Sequence, residues 1–342
     1  MRTIRLCLFG FGNVGQAFAR LLLKKKDILE KDYQINFFVT TIVTRRHGTA
    51  INRDGINLEK ALQLIGNDWS LQELSKSSLS VSLSDIMGQS GAEVLLENTP
   101  VNYVSGQPAL DHISTALKAG LHAITANKGA VLHGYQPLTE LALKHQRQFL
   151  FESTVMDGAP IFSLVRKTLP AIELLGFEGI LNSCTNLLLE RMEGGETLDE
   201  AVVYARSIGI TETDPSGDID GWDAAIKAAL LINVLMHFPI KLNEIVRQGI
   251  RAISPTELQA AKGGGQKWKL ICRAENKNGK VIASVAPEKV PSRSPLFSVN
   301  GTSSFILFKT DSLPGLGILE SNPGPETTAY GLLSDLLSIY SK

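Results

Sequence analysis

The stretch IRLCLFGFGNVGQAFARLLLKKK, residues 4–26, decides the fold. It opens as an apolar strand, turns on glycines and continues with apolar residues at helical spacing toward a basic end. Gly10, Gly12 and Gly15 make the pattern G-x-G-x-x-G, with Phe11, Asn13 and Val14 between them. Such a pattern is weak by itself and gains weight from standing after a strand and at the start of a helix. One glycine serves the tight turn, one lets the backbone approach a pyrophosphate, and one brings helix and strand together. The helix N-terminus then offers unpaired N–H groups and the positive end of its dipole to phosphate. A purely structural glycine turn is the plainer alternative, and the strand-turn-helix context favours a dinucleotide.

Outward from this unit, strands and helices alternate. INFFVTTIV (35–43), AEVLLEN (92–98), HAITAN (122–127) and QFLFEST (148–154) are apolar or β-branched runs, with helical segments predicted around 107–119 and 135–146. This alternation predicts an α/β domain of Rossmann type, a doubly wound parallel sheet over residues 1–150. Beyond Pro160 the texture changes to α+β, giving a second domain over 151–317. There a strand GFEGILNS, a helix LDEAVVYARSIG, an acidic loop and a wholly apolar helix precede strands in KWKLICRA, KVIASVAPE and SFILFKT, separated by NKNG and VNGTSS turns. The tail, 318–342, predicts a Gly/Pro loop and a closing helix that packs back on the first domain.

Composition narrows the function classes. The chain has 342 residues, with 34 Lys and Arg against 34 Asp and Glu, a balance that signals neither a nucleic-acid nor an anionic-membrane partner. Cys7, Cys184 and Cys272 lie far apart without metal-ligand spacing, which points to a reducing, cytoplasmic setting. No signal-peptide pattern opens the sequence, and the longest apolar run, near 224–240, is broken by Lys227, Asn233 and His237.

The coenzyme type is read at the end of the second strand, where an acid would bond the ribose 2′-hydroxyl of NAD. No acid occurs between Asp32 and Asp54; the strand runs into Thr44, Arg45, Arg46 and His47. Two guanidinium groups suit a 2′-phosphate, so NADP is expected, with NAD the alternative and a solvated basic turn the plain reading.

The segment DPSGDIDGWDAAIK (214–227) raises the chemistry. Lys227 is the one cation before His237 on a helix that is apolar on every face, and a buried ammonium is costly unless paired. Asp223 stands one turn earlier on the same face. The plain reading makes Asp220 an N-cap, puts Asp223 at N3 of a capping box, and makes Asp223 to Lys227 an ordinary i,i+4 pair. Against it, the helix has no polar face, and Glu212, Asp214 and Asp218 supply more acid than capping needs; a water-lined cleft would account for both. His112, His122, His133 and His145 suggest no chemistry.

With the opening stretch, TANK (125–128), ESTVMDGAP (152–160) and GILNSCTN (179–186) in this order, the chain resembles the homoserine dehydrogenase family over nearly its whole length, in a short form without a C-terminal regulatory domain. The resemblance implies an NAD(P)-dependent oxidoreductase that interconverts L-homoserine and L-aspartate 4-semialdehyde, in the threonine and methionine branch of amino-acid biosynthesis. It implies a homodimer, the second domain serving dimerisation and substrate binding. It implies Lys227 as the catalytic lysine with Asp223 as its partner and Lys128 near nicotinamide and substrate. Glu212, Asp218, Asn182 and Thr185 then contact substrate, and Asn98, Thr99, Pro100 and Gly324 line the coenzyme with Gly10–Gly15, Arg45, Arg46 and Lys128. Glu152 with the backbone of Val155, Asp157 and Ala159 falls on the family's monovalent-cation loop, a site for an ion such as sodium. Met156 and Asp157 stand where the family has small residues. Other readings stay open: a dehydrogenase of another small amino or hydroxy aldehyde, an inactive NADP-binding regulator, or a thioester enzyme using Cys184.

Overall fold

The computed structural model describes residues 1–76, 82–211 and 214–340. Two compact units emerge: residues 1–160 with 324–342, and residues 161–323.

The first unit contains β1 (Arg2–Phe9), α1 (Asn13–Lys31), β2 (Ile35–Val43), β3 (Thr49–Ile51), α2 (Leu58–Gly66), α3 (Leu83–Ser90), β4 (Val94–Glu97), α4 (Ala109–Lys118), β5 (His122–Thr125), α5 (Lys128–Lys144) and β6 (Phe149–Leu150). The second contains β7 (Leu174–Ile180), α6 (Ser183–Glu193), α7 (Leu198–Ser207), α8 (Ser216–Ile219), α9 (Trp222–Leu235), β8 (Val246–Arg247), α10 (Pro255–Gly263), β9 (Gln266–Lys277), β10 (Lys280–Pro291), β11 (Ser304–Thr310) and β12 (Leu316–Glu320). The closing helix α11 (Pro325–Tyr340) returns to the first unit.

The first sheet has the order β3-β2-β1-β4-β5-β6. All neighbours are parallel except β3, which pairs antiparallel at the edge. Register sets one rim of this sheet. Phe9 pairs with Val43 on one side and Glu97 on the other, and Glu97 pairs with Thr125, so four strands end level. Ligands bind at this carboxyl rim in open α/β sheets. Ile4, Leu6, Leu8, Phe18, Leu22, Leu96 and Ile124 form the core, with Ala329, Leu332, Leu333 and Leu336 of α11 packed into it.

Two boundaries differ from the sequence reading. The helix predicted from residue 135 starts at Lys128, because Gly129 and Gly134, which resemble turn residues, are there for close packing. A Cβ on Gly129 would lie 2.5 Å from the Asn102 carbonyl, and one on Gly134 would lie 2.2 Å from Leu110. The tail is helical only from Pro325, since residues 316–320 pair with β11 as an edge strand.

The second sheet, β12-β11-β7-β9-β10-β8, is antiparallel apart from the β10–β8 pair. Helix α9 lies on β9 and β10, and eleven of its fourteen residues are buried. That is the all-round burial its apolar sequence predicts.

Candidate active site

The coenzyme site grows from the first βα turn. Gly10 has φ +87°, and a Cβ there would lie 2.4 Å from the Asn98 carbonyl oxygen. A Cβ on Gly15 would lie 2.5 Å from the Gly10 carbonyl, so this glycine sets how closely α1 approaches β1. A Cβ on Gly12 would meet nothing within 4 Å, which leaves open space in front of the helix. No side chain caps α1 and no acid stands in its first turn, so its N-terminal dipole faces that space uncompensated. Beside it, the Asn98 Nδ2 and Oδ1 atoms are buried without a hydrogen-bond partner among the described residues. Buried amides are rarely left unsatisfied, so this one suits a bound polar ligand. The residues present fit a dinucleotide.

At the end of β2 the chain turns through Thr44, whose Oγ1 accepts from the His47 backbone N–H at 2.9 Å. Arg46 is exposed and paired with Asp68 at 2.5 Å. Arg45 is exposed and has no ion pair among the described residues. The two arginines are thus unequal candidates for a 2′-phosphate. Farther along the rim, Asn127 caps α5 by accepting the Ala130 N–H, which places Lys128 in the first helical position. Thr99 and Pro100 form the loop after β4; Gly324 accepts from Thr328 at the start of α11.

In the second unit, the Lys227 Nζ lies 3.1 Å from Asp223 Oδ2 and donates to the Leu181 carbonyl at 2.7 Å. Asn182, the N-cap of α6, donates through Nδ2 to Asp218 at 2.6 Å and to Asp223 at 2.9 Å. Its Oδ1 accepts from Thr185 N and Oγ1 at 2.8 and 2.9 Å. The structure therefore brings Lys227, Asp223, Asp218, Asn182 and Thr185 together. One carboxamide bridges two carboxylates beside one ammonium, whose side chain is 15% exposed. Asn182 spends both amide hydrogens on these acids, which makes it a bridge within the site. Glu212 lies outside the described residues.

The capping box expected at α9 does not form. The N-cap is Gly221, in a left-handed conformation at φ +77°, with no side-chain cap. Asp220 instead pairs with Arg251 at 2.5 Å, and Arg247 donates to its carbonyl while stacking 3.6 Å over the Trp222 ring. Asp223 is taken by Lys227 and Asn182, charged and amide donors that outcompete a backbone N–H.

Cys184, inside GILNSCTN, is buried, and burial beside the Asp218 and Asp223 carboxylates pushes its thiol far above the usual range. Burial likewise pushes the Cys272 thiol up to about 12. A nucleophilic cysteine needs the opposite surroundings, so this geometry disfavours a thioester route.

The candidate cation loop is pinned to α11: Glu152 N donates to Asp335 Oδ2 and Ser153 Oγ to the Thr328 carbonyl, both at 2.8 Å. Glu152, Val155 and Ala159 are buried, and Asp157 sits at φ +35°. Its carbonyl lies 2.7 Å from where a Cβ on Gly331 would stand, so α11 closes over it.

Three buried charges escaped the sequence reading, Asp335 of α11 being one. Lys269 is 2% exposed in β9 and donates to Asn186 Oδ1 at 2.8 Å and to the Val299 carbonyl. Glu97 is fully buried at the end of β4. For Glu97 the one available signal was a charged residue closing an otherwise apolar strand.

The chain matches a family model described as the homoserine dehydrogenase NAD binding domain over residues 10–152, and one described as homoserine dehydrogenase over 160–337. Homoserine dehydrogenase of Methanocaldococcus jannaschii is 36% identical over 337 residues, covering 98% of each chain. The NAD(+)-dependent homoserine dehydrogenase of Pseudomonas canavaninivorans is 31% identical over 342 residues, covering 99% of this chain and 97% of that one. The solved structure of a hyperthermophilic archaeal homoserine dehydrogenase in complex with NADPH superposes with a TM-score of 0.83 at 28% identity, covering 98% and 97% of the two chains.

Proposed function

Because this chain belongs to the homoserine dehydrogenase family of NAD(P)-dependent oxidoreductases, we propose that it interconverts L-homoserine and L-aspartate 4-semialdehyde with NADP as its coenzyme, in the threonine and methionine branch of amino-acid biosynthesis. The observation that carries the reading is the half-buried Lys227 paired with buried Asp223 and bridged through Asn182 to Asp218. When bound in the first unit, the coenzyme supplies or accepts hydride. The remaining chemistry is proton transfer at the substrate oxygen. Lys227 gives the proton as aldehyde becomes alcohol and takes it back in reverse, the work of a positioned general acid and base. Asp223 and the Leu181 carbonyl hold two of its three N–H directions, leaving a third for the reacting oxygen. Asp218 and Glu212 supply negative charge for the substrate ammonium, Thr185 supports Asn182, and Lys128 provides a second cation.

The NADP preference is supported by the missing acid after β2 and by Arg45, exposed and without an ion pair among the described residues. Relatives use either coenzyme by name, one being NAD(+)-dependent and one having been solved with NADPH. The reading also assigns a monovalent cation such as sodium to Glu152 and the Val155, Asp157 and Ala159 carbonyls, since oxygen donors suit a hard cation; no step is routed through it. A homodimer is supported by the edge position of β12, where Leu319 is exposed. Three free, buried cysteines suit the cytoplasmic setting the reading assigns. The test is coenzyme absorbance with aspartate 4-semialdehyde and NADPH or NADH, then with homoserine and NADP. Turnover in both directions with NADPH favoured is expected; turnover with neither coenzyme, or faster with NADH, contradicts the reading.

A further inference from the structure

We propose that Glu97 is a positioning residue for the nicotinamide half of the coenzyme, holding the loop after β4 against the glycine turn and tying that loop to the start of α5. The inference rests on coenzyme binding at the first βα turn. Its carboxylate is fully buried, with no lysine or arginine salt bridge among the described residues; the basic group near it is the His112 ring, 3.3 Å away. A charge in that position is costly unless hydrogen bonds satisfy it, and here those other than the His112 contact lead to the Thr99 and Thr125 segments. Oε1 accepts from the Thr99 backbone N–H at 3.2 Å and from the Thr99 hydroxyl. The single hydrogen of Thr125 Oγ1 is shared between the Glu97 carbonyl at 2.9 Å and Oε2 at 3.3 Å.

The network then closes on itself. Thr125 Oγ1 accepts from Asn127 N at 2.9 Å, and Asn127 Nδ2 donates back to the Thr99 carbonyl at 3.1 Å. Asn127 also caps α5 immediately before Lys128. On the other side, Thr99 N lies 2.8 Å from where a Cβ on Gly10 would stand, so the segment that Glu97 grips is the one wedged against the first glycine. Asn98, with its unsatisfied buried amide, is part of the same segment. Strand order fixes which half of the coenzyme is involved. The adenosine ribose belongs at the end of β2 and the pyrophosphate at the β1 turn. Because β4 flanks β1 on the side opposite β2, its loop faces the other half.

The test separates the two halves by equilibrium binding, without turnover. Fluorescence titration compares NADPH with its adenosine half, 2′,5′-ADP, in the wild-type protein, Glu97→Leu and the conservative Glu97→Gln. Glu97→Leu weakens NADPH by about tenfold or more while 2′,5′-ADP stays within about twofold, and Glu97→Gln, which keeps an acceptor for Thr99, recovers most of the loss. Should Glu97→Leu fail to fold, Thr99→Val, which removes one donor from the same carboxylate, shows the same split. Unchanged NADPH affinity, or equal weakening of both ligands, overturns the proposal. Wild-type protein that binds 5′-AMP more tightly than 2′,5′-ADP overturns the NADP preference alone, and the split is then read with NADH and 5′-AMP.

Discussion

Replacing Lys269 with methionine removes a buried charge while keeping most of the side-chain volume. In β9 this ammonium is 2% exposed and meets two neutral acceptors, Asn186 Oδ1 and the Val299 carbonyl. Burial first, and then the neighbouring Lys267, lower its pKa from 10.5 to about 8. The unfolded chain therefore holds this proton more tightly than the folded one. Below pH 8 both states are protonated and folding carries the full penalty, about 3 kcal/mol. Between about pH 8 and 10.5 the folded state sheds the proton first, so stability rises with pH across that window. Lys269→Met carries no such penalty but loses a donor to two buried acceptors, at about 1–3 kcal/mol. The two effects roughly cancel near neutrality. Urea unfolding of both proteins from about pH 7 to pH 10 isolates the titration, because every other ionisable group is shared. The variant falls behind wild type by about 2–3 kcal/mol more at the alkaline end than at the neutral end. A wild-type-minus-variant difference that stays constant with pH refutes it.

Arg45→Ala raises the NADPH Kd by about 10–100-fold, the range for one lost charge-assisted hydrogen bond, and leaves NADH unchanged; equal effects on both coenzymes remove Arg45 from 2′-phosphate recognition. Native alkylation with iodoacetamide near neutral pH is slow at Cys184 and Cys272, whose thiols burial holds in the neutral form, and turnover survives the treatment. Rapid loss of activity matched by label at Cys184 favours thioester chemistry instead.

What the sequence made legible was local or periodic. Gly10, Gly12 and Gly15 could be read because strand, turn and helix are contiguous, and β2 falls on Ile35–Val43 as its apolar run predicts. The Asp223–Lys227 contact follows from helical spacing once α9 is recognised as apolar all round. What stayed hidden depends on long separations. Asn182 reaches acids 36 and 41 residues away, and Lys269 meets an asparagine 83 residues away. Glu97 draws in Thr125 from a neighbouring strand through sheet register alone. No local pattern encodes such partners. The missed cap at α9 has a different cause: Asp220 had the right type and place, and a distant guanidinium, Arg251, claimed it.

The proposed role of the Lys227 ammonium is to exchange the proton at the reacting oxygen. Single-turnover reduction of aspartate 4-semialdehyde by the NADPH-loaded Lys227→Met enzyme tests it most directly, with NADPH affinity titrated alongside. The rate falls by about 10²–10⁴-fold while coenzyme binding stays within about twofold of wild type. A rate within a few-fold of wild type, in a variant that binds NADPH normally, contradicts it.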